Sequence, residues 1–112
     1  MTINEYQKEA VRMINPDLSD DIQQLQNGLM GLNGEAGEAL DILKKHLFQG
    51  HKLDKVHIIK ELGDVGWYLA VSAYSLGIDL ETILQMNVDK LRARYPEGFD
   101  TELSQHRKKG DI

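Results

Sequence analysis

Apolar residues recur at spacings of three and four along almost the whole chain, and no stretch alternates apolar with polar residues as a half-buried strand would. The one β-branched cluster, Val56 to Ile59, sits inside a longer helical period. A chain patterned in this way has to hide helix stripes against one another, so the expected fold is all-α, an antiparallel helical bundle of four to five helices. Thr2 and Glu5 have capping-box spacing and predict a first helix from Ile3 to Ile14, closed off by Pro16. Ser19, Asp20 and Asp21 are cap candidates for a second helix that ends near Gly50. A third is predicted from Asp54 to Leu76, with Gly77 in the left-handed position after it. Asp79 caps a fourth that runs to Tyr95, because the residue before Pro96 is pushed out of helical conformation. Glu97 to Ile112 is polar, and partial disorder is expected there.

Length limits what such a bundle can do. At 112 residues the chain makes one domain, read as residues 1–99 followed by a polar C-terminal tail, residues 100–112. Eighteen acidic residues against thirteen Lys and Arg exclude a nucleic-acid-coating protein, which needs clustered positive charge. The longest uncharged stretch, Val65 to Ile78, is shorter than the roughly 20 residues of a membrane span. With no Cys, thiolate and disulfide chemistry are excluded, and the expected setting is cytoplasmic.

Charge is most informative where it is sparse. Between Gly28 and Leu40 the charged residues are Glu35 and Glu38; from Glu61 to Ile78 they are Glu61 and Asp64. Residues three apart share a helix face, so each pair points one way. Like charges so placed repel, and in apolar surroundings they either protonate or attract a cation. Four carboxylates from two helices suit Mg²⁺, or Mn²⁺, which take hard oxygen ligands. The competing arrangement is a salt-bridged face in which Lys44, Lys45 or Lys60 neutralises Glu35 and Glu38. Gly28, Gly31, Gly34 and Gly37 recur every three residues beside the first pair, and each costs the helix roughly 1 kcal/mol relative to Ala. Such a ladder implies close approach by another helix or a ligand.

The order Glu35-x-x-Glu38, then 22 residues, then Glu61-x-x-Asp64 resembles the signature of the MazG-like all-α nucleoside triphosphate pyrophosphohydrolases. Downstream, Asn87-Val-Asp-Lys90-Leu91 through Arg94-Tyr95-Pro96 is similar to the end of that family's last core helix. The resemblance covers roughly residues 20 to 99 and departs from the family at Gly34, where many relatives carry a further acid. It implies hydrolysis of a nucleoside triphosphate to the monophosphate and pyrophosphate, with Mg²⁺ held by Glu35, Glu38, Glu61 and Asp64 and one of the glutamates as base. It also implies phosphate contacts from Asn87 and Lys90, with Arg94 next; Lys44 is a further candidate, for which a solvated surface lysine fits equally.

Tyr68 lies four residues after Asp64, on the same face, where its hydroxyl can reach a phosphate or sugar; a core Tyr fits equally. His46, His51, His57 and His106 have no ExxH or HxxxH spacing and read as surface residues. Trp67 reads as core or interface. Val65 to Leu76 is apolar around most of its helix, more than one chain is expected to bury, which together with the resemblance predicts a homodimer or homotetramer completing the bundle. The alternative function is a non-catalytic helical interaction or nucleotide-sensing module that keeps the fold.

Overall fold

A computed structural model describes residues 1–18 and 20–112, so the cap candidate Ser19 lies outside the described residues. It contains five helices: α1 (Ile3–Val11), α2 (Asp21–Gln49), α3 (Lys55–Ser75), α4 (Leu80–Arg94) and α5 (Thr101–Gln105). No strand occurs among the described residues, and no helix is long and apolar enough to cross a membrane.

The helix ends follow local chemistry. Thr2 Oγ1 accepts the Glu5 N–H at 3.1 Å while Glu5 Oε2 accepts the Thr2 N–H at 2.9 Å, the reciprocal pairing of a capping box. Asp20 Oδ1 accepts from Gln23 N at 2.7 Å to start α2, and Asp54 Oδ1 from His57 N at 3.0 Å to start α3. α1 is shorter than the sequence predicts. The N–H groups of Arg12, Met13 and Ile14 bond to carbonyls three residues back, so the chain tightens out of α-helix before Pro16. At the end of α3, Gly77 takes φ 71°, its N–H bonding Tyr74 O at 2.9 Å and that of Ile78 bonding Ala73 O at 3.0 Å. This pair of bonds satisfies two carbonyls that the helix end would leave bare.

The chain forms two compact units, Met1–Leu80 and Glu81–Ile112. In the first, α3 packs against both α1 and α2. Its core contains Ala10, Ala70, Val71, Ala73 and Leu80. Small residues bring the helices close. A Cβ on Gly28 would run into the Ser72 side chain, and one on Gly31 into the Tyr68 ring. α1 is held by polar contacts that helical periodicity does not reveal. The buried Gln7 side chain donates to Ala70 O at 3.4 Å and to Ile78 O at 3.2 Å, and its Oε1 accepts the Leu80 N–H at 2.9 Å. Trp67 Nε1 donates to Ala10 O at 3.0 Å.

The apolar excess extends beyond the stretch expected to carry it. Within Val65 to Leu76, Ala70, Val71 and Ala73 are fully buried, while Tyr74 and Leu76 remain exposed; further large exposed apolar side chains of this unit include Leu29, Leu40 and Phe48 on α2 and Val56, Ile59 and Leu62 on the first half of α3.

In the second unit Arg94 makes a bidentate pair with Asp111, both bonds 2.8 Å, and the rings of Tyr95 and Phe99 lie 5.3 Å apart. The stretch expected to be partly disordered carries α5, capped by Asp100 Oδ1 on Leu103 N at 3.1 Å. A short helix with one cap has too little periodicity to stand out in sequence.

Candidate metal centre

The regular rise of two packed helices sets the site. Glu35 and Glu38 share a face of α2, and Glu61 projects from the adjoining face of α3. One carboxylate oxygen from each of Glu35, Glu38 and Glu61 lies within 4.8 Å of the others. Glu61 is only 9% exposed, Glu35 is half-buried, and Glu38 is open to solvent. The cluster is thus anchored at Glu61 and accessible at Glu38.

Its carboxylates are in electrostatic conflict with one another. Glu35 Oε2 and Glu61 Oε2 are shut off from solvent, and no other group donates to either. Two facing carboxylates whose inner oxygens lack a donor cannot both hold a full charge cheaply, and protonation of one relieves the conflict. Hydrogen bonding to Glu61, with desolvation and the nearby Glu38, pushes the Glu35 carboxyl up from 4.5 to about 7. The same bond from Glu35 holds Glu61 below its ordinary value, helped by Glu38 and His57. A divalent cation can replace that proton and satisfy both oxygens, and the donors are all hard carboxylate oxygens.

No Lys or Arg among the described residues pairs with any of the four predicted acids. Lys44 and Lys45 instead share Asp41, at 2.9 and 3.2 Å, and those contacts hold Asp41 below its ordinary value. Among the described residues the salt-bridged arrangement therefore has no Lys or Arg at the cluster. Asp64 stands outside the group of three. It is exposed one turn further along α3, and its charge acts with burial to raise the pKa of Tyr6 on α1.

Tyr68 takes the space that a side chain at Gly31 would need, and meets Trp67 edge-on at 4.9 Å. Its ring thus belongs to the α2–α3 interface. The glycine ladder divides in two: Gly28 and Gly31 admit α3, whereas Gly34 and Gly37, which flank Glu35, have nothing within 4 Å of where a Cβ would stand. Asn87, Lys90 and Arg94 belong to α4 in the second unit; the first two are exposed, and Arg94 is taken up by Asp111.

One contributor escaped the sequence reading. His57 is a surface residue, as its spacing implies, yet its Nε2 lies 2.9 Å from Glu61 Oε1. The signal was present as a His four residues before a motif acid, at the start of the same helix.

Comparison with known proteins covers all of these acids. Residues 23–99 match the family model described as the MazG nucleotide pyrophosphohydrolase domain. The chain is also similar to the Gene 37 protein of Mycobacterium phage L5, 39% identical over 83 residues, which span 70% of this chain and 73% of that one. No solved structure gives a significant match. With the helical fold and the acid cluster inside the matched region, the chain belongs to the MazG nucleotide pyrophosphohydrolase domain family.

Proposed function

We propose that this protein is a Mg²⁺-dependent nucleoside triphosphate pyrophosphohydrolase, with Mn²⁺ as a substitute metal. The observation that carries the reading is the convergence of Glu35, Glu38 and Glu61 from two helices, with two buried oxygens that lack a donor. Family membership supports the same chemistry. Those three side chains would hold the cation, with Asp64 of the second motif as the fourth acid. A bound Mg²⁺ supplies charge neutralisation for phosphate oxygens and a lowered pKa for water.

The reaction forms a bond from water oxygen to the α-phosphorus and breaks the bond from that phosphorus to the α-β bridging oxygen. Nucleoside monophosphate and pyrophosphate leave. A glutamate of the cluster accepts the proton of the attacking water. Burial of Glu61 fixes the inner edge of the site, and the open space at Gly34 and Gly37 gives substrate access to the backbone beside Glu35. Asn87, Lys90 and Arg94 are assigned to phosphate binding on their match to the family motif, and Lys44 as a further cation on α2 that a phosphate would have to draw from Asp41. For Arg94 a phosphate has to displace the Asp111 carboxylate. Tyr68 contributes to the substrate pocket through the edge of its ring and its hydroxyl.

The active form is proposed to be a homodimer or homotetramer. Leu40, Phe48, Ile59 and Leu62 are between 56% and 79% exposed, and a second copy of the chain would cover apolar surface of this kind.

The test is incubation with a panel of ribo- and deoxyribonucleoside triphosphates plus Mg²⁺, with pyrophosphate as the readout. Release is expected from at least one substrate and is expected to be lost in Glu38→Gln and Glu61→Gln. No release from any of them at micromolar enzyme would sink the proposal.

A further inference from the structure

We infer that His57 is a positioning residue for the acid cluster: it engages Glu61 Oε1 and leaves Oε2 as the oxygen available to a cation. The inference rests on the metal-dependent reading above and adds a residue to it.

His57 is itself well placed. Its backbone N–H is held by the Asp54 cap at 3.0 Å, which sets the first turn of α3. Four residues on, Glu61 lies on the same helix face, and Nε2 reaches its Oε1 at 2.9 Å. An ionised carboxylate only accepts, so Nε2 carries the proton of this bond. The two partners are unequally exposed, the His57 side chain at 53% and that of Glu61 at 12%. Exposed ion pairs of this spacing are ordinarily worth little. Here the acceptor is shielded, and solvent cannot freely replace the imidazole.

The consequence concerns rotation of the carboxyl. The terminal torsion of Glu is broad and roughly two-fold, so an unanchored carboxylate presents either oxygen over a range of angles. A bond to Oε1 fixes the plane. Oε2 is then the buried oxygen without a donor, in the same cluster as Glu35 and Glu38. Partners of this kind behind a metal-binding carboxylate typically change affinity by about 10- to 100-fold.

The experiment measures Mn²⁺ affinity without nucleotide, by the electron paramagnetic resonance of free Mn²⁺, for the full-length protein and two variants. His57→Ala is expected to raise the Mn²⁺ dissociation constant roughly tenfold, with little change in melting temperature in EDTA. His57→Gln keeps an N–H donor and is expected to recover most of the affinity. Pyrophosphate release by His57→Ala should return toward the parent rate at saturating Mn²⁺, since the defect lies in holding the metal. Parent-like affinity in His57→Ala, or Gln performing no better than Ala, would overturn the role of His57 and leave the metal site standing. Absence of Mn²⁺ binding by the parent protein would overturn the metal reading and this inference together.

Discussion

The carboxyls of Glu35 on α2 and Glu61 on α3 meet between two helices, and their interaction raises Glu35 to about 7 and holds Glu61 below its ordinary value. Above its unfolded value of 4.5 and up to about 7, the folded chain keeps a proton on Glu35 that the unfolded chain has lost. The stability tied to Glu35 is therefore fully present below 4.5 and disappears as pH rises through about 7. Glu61 has the opposite sign: its contribution is present above 4.5 and is lost as pH falls through its lowered folded value. In EDTA, the melting temperature is expected to fall between about pH 5 and pH 8, and Glu35→Gln should flatten that fall. An unchanged slope in the variant would show that another group is responsible.

The glycine ladder makes a paired prediction. Gly34→Ala adds a methyl group where nothing stands within 4 Å, so the helix gains about 0.5–1 kcal/mol of stability in urea denaturation. Gly31→Ala drives a Cβ into the Tyr68 ring, which is braced by Trp67, and overpacking of this kind costs about 1–3 kcal/mol. The second change is expected to destabilise despite the same propensity gain. Reduced pyrophosphate release by the more stable Gly34→Ala protein would indicate that substrate or a second chain uses the open space.

Gln7 ties α1 to the end of α3 and the start of α4 through three hydrogen bonds. Gln7→Leu preserves bulk but leaves the Leu80 N–H and the Ile78 carbonyl without this partner. A loss of about 2–3 kcal/mol is expected from urea denaturation, on the ordinary cost of stranding buried polar groups. A loss below about 0.5 kcal/mol would mean that water or a shifted side chain replaces the amide.

How much of this was legible in the chain depends on the distance over which each feature is decided. Thr2 with Glu5, Asp20, Asp54 and Gly77 could be assigned because a cap needs only the next three or four residues. Glu35 with Glu38 could be placed on one face for the same reason. The end of α1 was misjudged because the tightening before Pro16 spreads over three residues that carry no distinctive side chain. The buried role of Gln7 was invisible, since a Gln on a short amphipathic helix reads as solvated until the carbonyls it meets, more than 60 residues away, are in place.

The amino-acid sequence by itself determined the first four helices, the caps of α1 to α3 and the spacing of the four acids, all consequences of the 3.6-residue turn and short-range hydrogen bonding. Tertiary structure alone decided that Glu35, Glu38 and Glu61 converge while Asp64 stands apart beside Tyr6. It also decided that Gly31 serves Tyr68 and Gly34 serves open space. The physical reason is that periodicity assigns a side chain to a face, whereas the separation and rotation of two packed helices set which atoms on those faces meet.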